Sequence, residues 1–167
     1  LVLATGGGAM VQAAYSSGSP ALGVGVGNAV ITVDDTADLD AAAEKIRLSK
    51  TLDLAASCSS DNSVVLLDGI YEPMLEKLKA QGGYLCNEEE KAALRNTLWD
   101  EELHLNTAIV AQPPEKIAQM AGLSIPEETK FFIVPEEGWG PEHPFSGEKL
   151  SVIMALYRAR DIDHAIE

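Results

Sequence analysis

The chain has 167 residues, room for one packed core or one domain with part of a neighbour. Apolar residues make up 46 % and the mean hydropathy is near zero, the composition of an ordinary globular protein. Acidic residues number 26 against 12 basic ones, a formal charge of −14, which argues against a nucleic-acid partner; no apolar run reaches the length of a membrane span.

Leu1 to Thr5 reads as a strand, followed by Gly6-Gly7-Gly8 and a helix from about Ala9 to Tyr15. Bare backbone N–H groups at a helix start attract anions, although three adjacent glycines match neither the dinucleotide fingerprint nor the P-loop spacing. After a turn at Ser16 to Pro20, glycine alternates with aliphatic residues from Ala21 to Asn28, which bares one face for a ligand or for another backbone. Ala29 to Val33 is a β-branched strand. Asp38 caps a helix with Leu39, Ala42, Ala43 and Ile46 at helical spacing, running towards Ala55.

Val64 to Leu67 is a strand, and Tyr71, Met74, Leu75 and Leu78 mark a helix stopped by Gly82-Gly83. Asn87 and Glu90 form a cap pair opening a helix through about Leu98, whose Glu88, Glu89 and Glu90 favour the positive helix start. Asn106 to Val110 is expected as a short strand, and Pro113-Pro114 opens a helix ended by Gly122. Lys130 to Val134 and Ser151 to Tyr157 complete the strands. The irregular stretch from Glu136 to Gly147 has the length and composition of a site loop. Strands alternating with helices predict an α/β fold with a mostly parallel sheet and helices on both faces.

Two cysteines make no disulfide framework, which points to a reducing cytoplasmic compartment. Cys86, in a strand-like stretch before a helix cap, reads as structural. Cys58, in Ser57-Cys58-Ser59-Ser60-Asp61-Asn62-Ser63, reads as a nucleophile or as a small buried hydrophobe; residues alone favour the second. No His/Cys/Asp spacing suggests a metal site. Leu1-Val2-Leu3-Ala4 is already a strand, and Asp161 to Glu167 begins a helix and stops, so both ends look cut from a longer protein.

Four segments in order tip that balance. They are Ala4-Thr5-Gly6-Gly7 with Ala13-Ala14-Tyr15-Ser16-Ser17-Gly18; Pro20-Ala21-Leu22-Gly23-Val24-Gly25 ending in Gly27-Asn28; the Cys58 run; and Pro144-Phe145-Ser146-Gly147-Glu148-Lys149-Leu150-Ser151 with Ala155-Leu156-Tyr157-Arg158-Ala159. Together they resemble the coenzyme A-acylating branch of the aldehyde dehydrogenase superfamily over essentially the whole chain. The resemblance implies residues 1–20 as the last strand-helix unit of a nucleotide-binding domain and residues 21–167 as a catalytic domain incomplete at its C-terminal end. It implies Cys58 as the nucleophile that adds to an aldehyde carbon. Thr5, Gly6, Gly7, Gly25 and Glu148 are implied as the cofactor side. The cofactor would be NAD or NADP, with coenzyme A as acyl acceptor.

Hydrolytic members place a glutamate, the general base on water, where this chain has Gly23; its loss fits acyl transfer to a thiol. Val152, Gly8 and Val26 replace family prolines. The run Cys58-Ser59-Ser60 with Asn62, and Asn96-Thr97-Leu98-Trp99, look similar to sulfoacetaldehyde dehydrogenases, where an amide and hydroxyls can bind a sulfonate or equally cap a helix; acetaldehyde and propionaldehyde stay open. The resemblance further implies a homo-oligomer and a cytoplasmic or microcompartment location. A hydrolytic dehydrogenase and a catalytically silent assembly domain are the rival readings.

Overall fold

A computed structural model describes residues 1–167. Its first part is a strand-helix-strand unit: β1 (Val2–Thr5), α1 (Gly8–Tyr15) and β2 (Ala21–Val24), the two strands pairing in parallel with Val2 opposite Ala21. One face of this pair is covered by α1. The other is bare, leaving Leu3 73 % and Leu22 and Val24 each 61 % exposed.

The remaining strands form a five-stranded, wholly parallel sheet in the order β3-β4-β7-β6-β5. Its elements are β3 (Ala29–Val33), α2 (Leu39–Thr51), β4 (Asp61–Leu67), α3 (Tyr71–Ala80), β5 (Gly83–Leu85), α4 (Glu88–Leu98), α5 (Pro114–Ala121), β6 (Phe131–Pro135), β7 (Ile153–Ala159) and α6 (Ile162–Ile166). The path β3-β4-β5 steps one way across the sheet and β5-β6-β7 steps back. Right-handed crossovers then set α2 with α3 on one face and α4 with α5 on the other, and each pair is packed together. Burial on both faces explains why the central strands are unbroken apolar runs: Phe131 to Val134 and Ile153 to Ala155 have no exposure at all.

Caps follow the local chemistry. Asp38 accepts the Ala41 N–H, Asn87 and Glu90 close a reciprocal capping box, and Gly122 ends α5 at φ 68°. Two expectations need correction. The second helix stops at Thr51 and does not reach Ala55; Asp53, Leu54 and Ala55 follow with φ of 46°, 53° and 57°, turning the chain back so that β4 can start beside β3. Residues 106–110 hold a 3₁₀ turn (Thr107–Ile109) in place of a strand, because the Asn106 side chain takes the Ala108 N–H and donates to the Thr97 carbonyl, competing with any ladder. β2 pairs with β1, so the two-stranded sheet extends to Val24 and the five-stranded sheet begins at Ala29.

The segment from Glu136 to Gly147 carries the chain back from the end of β6 towards the start of β7, and Phe145 pins it by packing edge-on against Trp99 at 4.9 Å. No helix is long and apolar enough to cross a membrane.

Candidate active site

Cys58 lies in the turn between α2 and β4 and is exposed, whereas Cys86 is buried. The turn is tied at both sides. The Ser49 hydroxyl accepts the Asp61 N–H at 3.0 Å, fastening the end of α2 to the start of β4, and Ser60 N–H reaches the Ser57 carbonyl at 3.0 Å. Ser57 and Ser59 hydroxyls bond each other at 2.9 Å. The Cys58 N–H donates to no group of the chain. Gly27 backs the thiol closely: a Cβ there would sit 3.0 Å from the Cys58 carbonyl oxygen and 3.3 Å from its Cβ, so the close approach needs glycine.

Residues at the starts of β3, β4 and β7 converge beside this turn. Asn62 is 4 % exposed and its Nδ2 donates to Asn28 Oδ1 and to the Gly147 carbonyl, both at 2.6 Å; Asn28 Nδ2 donates to the Ser146 carbonyl at 2.9 Å. Lys149, fully buried, donates to the carbonyls of Phe145 at 2.5 Å and Gly147 at 3.1 Å. Glu148 stands between those two anchors, partly exposed, with desolvation raising its carboxyl pKa. A groove of about 760 Å³ meets this cluster at Asn28, Ser63, Ser146 and Gly147.

Of the remaining candidates, Thr5 is exposed at the end of β1, and Gly6 donates to the Val24 carbonyl at 3.1 Å. Gly7 caps α1 with no side chain on the first N–H groups and no acidic residue in the first turn. Added Cβ atoms at Gly7 and Gly25 would meet open space. Gly7 and Gly25 therefore leave the backbone accessible, which suits the anionic and hydroxyl groups of a nucleotide cofactor. Gly23 is different. A Cβ there would lie 2.5 Å from Val11 Cγ1 and 3.0 Å from Tyr15, so its side faces α1 and any larger residue must displace those side chains. At Gly25, two residues on, an added Cβ would meet open space.

Three buried or half-buried charges surround the site. Lys50, 2 % exposed, is pushed down to about 7 by burial, with Asp61 opposing; burial also lowers Lys149, and Lys50 adds to that effect. Glu136 accepts from His143 Nδ1 at 2.9 Å and Lys91 at 3.2 Å; desolvation raises its carboxyl pKa, but these bonds and the Glu137 N–H outweigh it and hold it below the ordinary value. His143 is thus engaged by Glu136.

The structure brings Cys58 and Glu148 to neighbouring starts of parallel strands through the Asn28–Asn62–Gly147 contacts. It commits the Asn62 amide internally, so that amide does not bind a substrate head group. Sequence reasoning missed Lys50 and Lys149. Lys50 had a signal, since it continues the apolar stripe of Ala43 and Ile46 one turn on. Lys149 had none, because nothing local distinguishes a buried lysine from a solvated one.

No family model matches the chain. It is 45 % identical over all 167 residues to the bifunctional aldehyde-alcohol dehydrogenase AdhE of Escherichia coli strain K12, spanning 19 % of that protein. It is 46 % identical over 169 residues to the acylating sulfoacetaldehyde dehydrogenase of Cupriavidus necator, covering all of this chain and 34 % of that one. The chain therefore spans between a fifth and about a third of these relatives. Among solved structures, the acetylating aldehyde dehydrogenase of Geobacillus thermoglucosidasius superposes with TM-score 0.94 at 41 % identity, covering 98 % of this chain and 36 % of that one. The propionaldehyde dehydrogenase of Rhodopseudomonas palustris, solved with coenzyme A and an acylated cysteine, gives TM-score 0.87 at 25 % identity, over 99 % of this chain and 38 % of that one.

Proposed function

We propose that this chain, which shares its sequence and fold with a segment of the acylating aldehyde dehydrogenases, supplies the covalent centre of an enzyme that converts an aldehyde and coenzyme A to an acyl-coenzyme A while reducing NAD or NADP. The observation that carries the reading is the exposed Cys58, on a turn held from both sides, next to a loop that presents Glu148.

Cys58 as thiolate adds to the aldehyde carbon, and the carbonyl π electrons move to oxygen, giving a thiohemiacetal oxyanion. The free Cys58 N–H is suited to stabilise that oxygen. The nicotinamide cofactor, when bound, supplies the hydride acceptor that turns this adduct into a thioester on Cys58. The coenzyme A thiol, after losing its proton, attacks the thioester carbon; the Cys58–carbon bond breaks and the thiolate is restored. Glu148, Thr5 and the backbone donors at Gly7 and Gly25 fit the cofactor's hydroxyl and anionic groups, with Gly6 letting the backbone approach closely.

The substrate we propose is a short aliphatic aldehyde or sulfoacetaldehyde. With Asn62 committed elsewhere, the groups left beside the thiol for a head group are the Ser57 and Ser59 hydroxyls. In the full-length protein that carries this chain, Cys58→Ser should abolish acyl-coenzyme A formation from every aldehyde tested. Turnover at the wild-type rate would remove Cys58 from the mechanism.

A further inference from the structure

Between Cys58 and Glu148 lies a layer of polar contacts that uses neither side chain. The Gly147 carbonyl accepts two donors, Asn62 Nδ2 and Lys149 Nζ, which is its full capacity of two lone pairs. The Ser146 carbonyl accepts from Asn28 Nδ2, and Asn28 in turn accepts from Asn62. Both Asn62 and Lys149 are buried, so water does not compete for these bonds, and each is stronger than its exposed counterpart. The ends of the network are the working residues themselves: Gly147 precedes Glu148 directly, and Gly27, beside Asn28, abuts Cys58.

We infer that Asn62, Lys149 and Asn28 are positioning residues, a clamp that fixes the Glu148 loop relative to the Cys58 turn by holding the Ser146 and Gly147 carbonyls against the starts of β3 and β4. The inference rests on the roles proposed above for Cys58 and Glu148. A carbonyl is held at a set distance only when its donors come from elements that cannot move independently. Here those donors come from the starts of two paired strands and from Lys149, whose stem is locked in the core. Loss of one donor frees the loop to drift, and a drift of about 1 Å in a positioned group costs up to about a hundredfold in rate or affinity.

The test uses the full-length protein with Asn62→Leu, Asn28→Ala and Glu148→Gln. Asn28 is exposed, so Asn28→Ala keeps the fold even if Asn62→Leu does not. Each Asn variant should raise the cofactor KM about tenfold. Alkylation of Cys58 without cofactor should change less than about twofold, and amide exchange at residues 147–149 should speed up about tenfold. Unchanged cofactor KM in the Asn variants, with KM raised in Glu148→Gln, overturns the clamp and leaves the functional reading standing. Lower thermal stability with no KM change likewise overturns it, because a purely structural role gives that pattern. If Glu148→Gln itself leaves KM unchanged, the cofactor role of Glu148 fails, and unaltered amide exchange in Asn28→Ala then overturns the clamp independently.

Discussion

The two thiols of this chain occupy opposite environments. Cys58 stands exposed between Ser57 and Ser59, while Cys86 is 4 % exposed and its thiol is pushed up to about 12, by burial and then by Glu90. At pH 8 the thiolate fraction of Cys86 is on the order of one in ten thousand, so iodoacetamide should label Cys58 at least about a hundredfold faster. Timed peptide mass spectrometry reads the ratio directly, and equal labelling of folded protein would contradict the placement of both residues. The glycines of β2 and the chain after it separate in the same way. Gly25→Glu should put a carboxylate into open space on the proposed cofactor side and lower the yield of acyl-coenzyme A with little loss of stability. Gly23→Glu should instead cost about 1–3 kcal/mol of stability by overpacking Val11 and Tyr15. Product yield by chromatography and urea unfolding distinguish them. Cys58 stood out in the sequence because its flanking residues match a known pattern. The side to which Gly23 points did not, since alternation in a strand says nothing about which face a helix will cover.

Secondary structure was legible wherever it has a local cause: the capping box at Asn87, the glycine stop at Gly122 and the apolar strands β4, β6 and β7. It failed where side chains compete with the backbone, as at Asn106, or where tertiary path decides, as after Thr51. There Asp53, Leu54 and Ala55 take left-handed backbone conformations without glycine, at about 1–2 kcal/mol each. The turn persists because both its ends are fixed, by α2 and by the Ser49 bond to Asp61, and because Ala55 is 2 % exposed within packed surroundings. Ala55→Gly should therefore stabilise the chain by up to about 1 kcal/mol, the relief of strain being partly offset by the freer unfolded state. A urea midpoint below that of the parent would show that the Ala55 methyl contributes more packing than its backbone costs.

At the scale of the whole molecule, the parallel sheet spends part of its interior on charge. Lys50, in the last turn of α2, and Lys149, just before β7, are buried against it, with Asp61 and Glu136 as the carboxylates that oppose their desolvation. For Lys50 the ordinary value of 10.5 falls to about 7 on folding, so between those values the unfolded chain binds more protons than the native one. Stability must then rise with pH across that window, and the depressed Lys149 acts in the same direction. Cys86 works the other way. Its native value near 12 lies above its ordinary 9.0, so above pH 9 the unfolded chain loses that proton first and stability falls. The phenols of Tyr84 and Tyr157, pushed up from 10.0 to about 12, oppose the lysines in the same way, so stability peaks only where these losses overtake the two lysines, at about pH 10. Urea midpoints should increase from about pH 7 to 9 and decline beyond about 10.5. Lys50→Met, which keeps the buried stem and removes the ammonium, should cut the rising slope by about half while leaving the decline above about pH 10.5 in place, because that limb belongs to Cys86, Tyr84 and Tyr157. A slope unaffected by Lys50→Met would mean that Lys50 keeps its proton in the native interior, stabilised by Asp61 more strongly than its burial penalises it.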